Sequence, residues 1–142
     1  MCLYNYRKIF FKRKITCYKV LRVLHIFDKL EEKSKITDAF FSPYFNTPYY
    51  IGELKHSTSN TPVIDGDRIT GGCFHTFKKL KDAIDFCQIR YDFVNGDLCE
   101  YVVVKCTIPK SSGFVYKGET IDNHASYASQ ELYVDSIVYT NT

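Results

Sequence analysis

Apolar residues recur along this chain with two different periods, and the change between them marks its elements. Leu80, Ala83, Ile84 and Cys87 stand at i, i+3, i+4 and i+7, with Lys79, Lys81, Asp82 and Asp85 off that stripe. This is one apolar face of a helix, predicted over residues 78–91. Residues 101–108 (YVVVKCTI) are nearly continuous in valine, as in a strand buried on both faces. Residues 17–24 are β-branched and aromatic and predict a second strand, although Lys19, Arg22 and His25 interrupt the region at a spacing of three. Residues 114–117 and 131–140 supply two more. In the last of these, the alternation at Leu132 and Val134 gives way to Ile137 and Val138, so Asp135-Ser136 is predicted to be a bulge or kink. Gly71 and Gly72 lead a short aromatic strand ending at Phe77.

The intervening segments read as connections. Residues 28–38 are highly charged and predict a solvated link, helical in part. Residues 40–51 hold two prolines and six aromatics, which suits an extended loop or edge segment. Residues 56–67 hold Ser, Thr, Asn, Pro and an Asp-Gly pair and predict a mobile loop; residues 95–97 predict a turn. The expected architecture is α+β: a mostly antiparallel sheet of about five strands with one main helix packed on it. The length, 142 residues, suits a single domain over 1–142.

Composition sharpens this picture in three places. The 12 Tyr and 11 Phe, without any Trp, favour sheet over helix. Charge is unevenly placed: residues 1–30 carry eight Lys/Arg against one acid, whereas residues 31–142 carry eleven against fifteen. Residues 1–14 therefore read as a basic N-terminal arm, with Arg7, Lys8, Lys12, Arg13 and Lys14 around Ile9, Phe10 and Phe11. With Tyr4 and Tyr6 such an arm could meet phosphates and stack bases. The weightier reading is a solvated edge whose lysines discourage strand pairing. The rest of the chain is acidic and has no ribonucleoprotein or helix-turn-helix signature, which leaves nucleic acid a minority partner.

The six cysteines are scattered, with no C-x-x-C pair and no Cys/His cluster at zinc spacing. They are expected to be reduced, and Cys73, Cys87 and Cys106 to face inward as small apolar residues. No apolar run reaches the roughly 7–15 residues of a signal peptide or the roughly 18 of a membrane span. The expectation is an intracellular, cytoplasmic protein with no membrane partner.

Candidate chemistry is sparse. His75 lies between Phe74 and Thr76, just after the paired glycines; it reads as a ligand contact at a pocket mouth or as a structural ring at a strand end. Residues 124–129 (HASYAS) offer small hydroxyl side chains that could line a pocket or bond their own backbone. There is no G-x-S-x-G elbow and no Walker lysine. The acids are too dispersed for a catalytic dyad or a calcium loop, and no metal site is legible.

Several segments together resemble a family of small proteins, of unassigned activity, from gut Bacteroidota and their phages. They are Met1-Cys2-Leu3-Tyr4 with Tyr6 and Lys8, Cys17-Tyr18-Lys19, Ser42-Pro43, residues 72–77 followed by Lys81-Asp82-Ala83, residues 103–110 (VVKCTIPK), Tyr116-Lys117-Gly118 and Tyr127-Ala128-Ser129. The resemblance implies a phage or mobile-element setting, in which an accessory factor or a virion structural or assembly protein is expected. A looser similarity is to the ADP-ribosyltransferase fold, with Arg22 or His25, the residues 72–77 with Ala83, and Glu131 in the matching places. It implies an enzyme using NAD, with Arg22, His75 and Glu131 as its working residues and Glu131 stabilising an oxocarbenium-like transition state.

The leading expectation is a non-enzymatic accessory protein without a cofactor, binding a small molecule such as a nucleotide, or a host protein. Its pocket would draw on Arg22, Tyr44, Tyr49, His75, Tyr127 and Ser129, since aromatic faces with a few convergent polar groups commonly form ligand sites.

Overall fold

The computed structural model describes residues 2–28, 33–41, 48–89, 93–94, 97–98 and 100–140. In chain order they form β1 (Leu3–Lys8), β2 (Ile15–Asp28), β3 (Lys33–Phe41), β4 (Pro48–Tyr50), β5 (Leu54–His56), β6 (Val63–Asp65), β7 (Arg68–Gly71) and β8 (Phe74–Phe77). Helix α1 (Leu80–Ile89) follows, then β9 (Phe93–Val94), β10 (Asp97–Leu98), β11 (Tyr101–Ile108), β12 (Val115–Glu119), β13 (Ala125–Ser129) and β14 (Glu131–Thr140). Ten strands run in the order β5-β14-β11-β2-β8-β13-β12-β1-β7-β6, with β3 attached to β2 and β4 to β3. The result is a curled antiparallel half-barrel; β9 and β10 pair separately.

This corrects the expectation of an α+β domain with about five strands and one main helix. The protein is mostly strand. The extra strands arise where the sequence looks polar. Residues 33–41, which begin inside the charged stretch 28–38 and run into the aromatic segment, pair with the far half of β2. Residues 3–8, inside the basic segment, lie between β12 and β7, and Leu3 is fully buried. Of residues 56–67, expected to be a mobile loop, Val63–Asp65 pairs with Arg68–Gly71 as the β6–β7 hairpin, with Gly66 at φ +63° supplying its turn. Of the segment 40–51, Pro48–Tyr50 pairs with β3; residues 42–47, with Tyr44 among them, lie outside the described residues, as do 95 and 96 of the expected turn.

The helix and the central strand stand as the pattern predicts. Ala83 and Cys87 are fully buried and pack with Val20, Phe77, Tyr101 and Val103. On β11, Tyr101 and Val103 face the helix. Val102, Val104, Cys106 and Ile108 face the opposite side, where they meet Cys17, Leu21, Tyr49, Leu132 and Val134. β11 is therefore buried on both faces for most of its length. β11 pairs Lys105 with Ser136 and then Cys106 with Val134, leaving Asp135 as the extra residue, so the predicted bulge is present.

β2 organises the rest because it outlasts its neighbours. One edge pairs with β11 from Ile15 to Arg22. The other meets β8 at Tyr18 and β3 from Arg22 onward. The sheet forks between these points, along residues 19–21.

Candidate functional site

Two regions concentrate polar side chains, the fork in the sheet and an open groove. At the fork, Lys19 projects from β2 onto the face away from the helix and is only 8% exposed. Its Nζ donates to the His75 carbonyl oxygen at 2.8 Å, a carbonyl near which the β2–β8 ladder provides only the Tyr18–Phe77 pair. The ammonium also lies 5.5 Å from the centre of the Tyr49 ring, whose surroundings include Lys55 Nζ at 4.8 Å. Burial pushes the Lys19 amine below its ordinary pKa.

The neighbouring groups are held neutral by the same desolvation. Burial pushes the Cys17 thiol up to about 12, offset in part by the Thr76 hydroxyl beside it and by Lys19. That hydroxyl has no full hydrogen-bond partner among the described residues, the thiol being a weak one. The Cys73 thiol is raised to about 12, and Cys106 and the Tyr49 phenol are raised too, all chiefly by burial. A thiol that stays protonated is a poor nucleophile. Cys17 and Cys106 should therefore remain unlabelled by iodoacetamide at pH 8 in the native protein and react once it is unfolded in urea. Peptide mass spectrometry checks this, and native-state labelling of either would contradict their burial.

The residues expected to form one pocket are divided by the sheet. Tyr127 and Ser129 of β13 pair with Thr76 and Phe74 of β8; Tyr49 meets the Phe74 ring edge-on at 6.3 Å. These lie on the face away from the helix. His75 alternates with Phe74 and Thr76 and so faces the other side, where its Nε2 is 3.5 Å from Cys73 Sγ. Its Nδ1 is buried without a hydrogen-bond partner among the described residues. Ser129 is fully buried and donates to the Glu131 carbonyl oxygen at 2.9 Å, a backbone role. Arg22 is half-buried between Tyr101 of β11 and Phe41 of β3.

Glu131 lies elsewhere. Tyr101, the partner of Arg22, begins β11, whereas Glu131 lies two residues beyond Tyr133, the partner of Thr107 near its end. At about 3.3 Å per residue, this separates Arg22 and Glu131 by more than ~20 Å along the strands. Arg22, His75 and Glu131 do not form one constellation. Among the described residues no group of three His, Cys, Asp or Glu side chains is placed to hold a metal ion.

The groove forms at the end of the sheet that the helix leaves uncovered. Leu54 of β5 pairs with Tyr133 of β14, and Tyr133 with Thr107 of β11. These side chains form a row on the helix-side face. β2 begins opposite Ile108, which brings Arg13 and Lys14 beside Pro109, Lys110 and Ser111. Together they enclose about 880 Å³. No family model, curated protein or solved structure matches the chain. The groove must therefore be judged on its own chemistry.

Leu54, Pro109 and Tyr133 supply its apolar surface, and Leu54 and Tyr133 are exposed. The acids nearby are already engaged: Glu131 accepts from Ser111 Oγ at 2.6 Å and contacts His56 Nδ1 at 3.1 Å, while Asp135 accepts from Thr107 Oγ1 at 2.7 Å. Arg13, Lys14 and Lys110 have no carboxylate within 4 Å among the described residues. Sequence reasoning missed Lys110 and Tyr133 because the groove is assembled by pairing between distant strands. The only local trace was the placement of Lys14 and Pro109 just outside the paired Ile15 and Ile108. No helix among the described residues is long and apolar enough to cross a membrane.

Proposed function

We propose that this chain is a non-enzymatic binding protein whose groove takes a small anionic molecule with a flat apolar part, the chemistry of a nucleotide. The observation that carries this reading is the pairing of Arg13, Lys14 and Lys110, which have no carboxylate partner among the described residues, with the apolar surface of Leu54, Pro109 and Tyr133. A ring can lie on Tyr133 and Leu54 while phosphates meet the cations. The volume lies within the range of small-molecule sites. We place the protein in the phage or mobile-element setting implied by the resemblance, as an accessory factor in the host cytoplasm. The wide separation of Arg22 from Glu131 favours binding over turnover of NAD.

Thermal melts with ATP, NAD and ADP-ribose test this. A ligand at about 100 times its dissociation constant adds about 2.7 kcal/mol, several degrees for a domain of this size. At least one of the three should raise the melting temperature. Arg13→Gln/Lys110→Gln should abolish the rise, and the ligand should be recovered unchanged after incubation. An unchanged rise in the double variant, or none with any ligand in the wild type, would refute the groove as the site. Consumption of NAD that stops in Glu131→Gln would replace binding with catalysis.

A further inference from the structure

A second group of cations converges on the sheet's other face. In β12, Val115 packs in the core away from the helix, so alternation puts Lys117 on that face too. Its partner across the β1–β12 ladder is Arg7, and on its other side it pairs with Tyr127. Arg7 reaches this face only because β1 contains an extra residue. Tyr4 pairs with Glu119 and Arg7 with Lys117, so Asn5 and Tyr6 together oppose Gly118. Asn5 takes φ +50° to allow it. Lys78 arrives from β8, held where the chain leaves the strand by its backbone N–H to the Ala125 carbonyl.

Like charges placed directly opposite each other in a sheet are destabilising, and long side chains at a surface can turn apart. Here they stay close enough to perturb one another. Lys117 lies across Tyr127 from Thr76, two residues before Lys78 on the same face, and its amine is pushed below its ordinary pKa, first by Lys78 and also by Arg7. None of the three has a carboxylate within 4 Å among the described residues. Glu119, the next acid along β12, is one row away, opposite Tyr4.

We propose that Arg7, Lys78 and Lys117 form a binding site for a phosphate group. Two ammonium groups and a guanidinium brought together from β1, β12 and the end of β8 suit a tetrahedral oxyanion, which offers each cation its own oxygen. A carboxylate has only two. The phosphate can be free or the monoester end of a small metabolite; both present the same dianion. The site is independent of the groove, which lies on the opposite face and uses none of these residues.

Isothermal titration at constant ionic strength tests it, with inorganic phosphate and glucose 6-phosphate as probes and chloride as the balancing ion. Saturable binding of one phosphate per chain is expected, weakened at least tenfold by Lys117→Gln and by Lys78→Gln. Lys117→Arg should retain it, as should the groove variant Arg13→Gln/Lys110→Gln. Tighter binding of the ester identifies monoesters as the source; binding of inorganic phosphate alone identifies the free ion. Failure of both probes to saturate the wild type overturns the proposal. So does binding that survives Lys78→Gln, an exposed position whose loss leaves the fold intact.

Discussion

Lowering the pH from 7 to 4.5 should cost the native state about 2.7 kcal/mol through His75 alone. The ring is 8% exposed, and burial, reinforced by the Lys19 ammonium, pushes its pKa down from 6.5 to about 3. Its Nδ1 has no acceptor among the described residues, and its Nε2 has only a thiol nearby. The native state therefore resists the proton while the unfolded chain takes it up near pH 6.5. Between the two values the unfolded state binds more protons, so stability is full above about 6.5 and falls as the pH drops toward about 3. Each unit of that interval is worth about 1.4 kcal/mol. The loss by pH 3 is about 4–5 kcal/mol, a large share of the stability of an ordinary domain.

Lys19 is also depressed by burial, so its contribution has the same sign and rises with pH up to the unfolded value of about 10.5. Urea titrations at pH 7, 5.5 and 4.5 separate these, using His75→Leu, which fills the site with an apolar side chain. The wild type should lose about 2–3 kcal/mol more than the variant between pH 7 and 4.5. Parallel losses would contradict the assignment. An NMR titration of the wild-type imidazole gives an independent reading: the His75 ring should not protonate above pH 4 in the native protein.

His75 also shows where sequence reasoning reached its limit. The apolar stripe Leu80, Ala83, Ile84 and Cys87 specified the helix, the valine run specified β11, and the break after Val134 specified the bulge at Asp135, because each is a local pattern with one physical solution. The polar strands had no such pattern. Ser126 and Ser129 are buried in β13, but they satisfy their hydroxyls on the carbonyl oxygens of His124 and Glu131, so burial left no apolar signature. Lys19 looked like one of three evenly spaced interruptions. It is buried because a fork in the sheet leaves the His75 carbonyl within its reach, and the fork follows from the unequal lengths of β2, β8 and β3. The candidate groove was equally hidden: Arg13, Leu54, Lys110 and Tyr133 meet only through the pairings of β2, β5, β11 and β14.

Replacing Gly118 with alanine should destabilise the protein by about 2–3 kcal/mol, although a glycine in a strand ordinarily gains from such a change. A Cβ at this position would stand 2.5 Å from the Tyr4 carbonyl oxygen, 2.9 Å from Leu3 Cγ and 3.1 Å from Tyr6 Cα. Two of these are backbone atoms of the bulge in β1, which cannot swing aside. The vacancy over Gly118 is what admits the extra residue, and the bulge in turn reverses the alternation of β1. Leu3 and Tyr6 then both join the cluster on the helix side, Tyr6 against Tyr116 at 5.8 Å, and Arg7 moves to the other face opposite Lys117. Asn5→Val, which places a β-branched residue at φ +50°, should cost about 1–2 kcal/mol, and Asn5→Gly should be tolerated. Denaturant unfolding checks all three; wild-type stability in Gly118→Ala would show that β1 can shift away. If β1 does shift in that variant, the register of Arg7 against Lys117 is lost with it. A Gly118→Ala protein that stays folded should then bind phosphate more weakly without any change in the cations themselves.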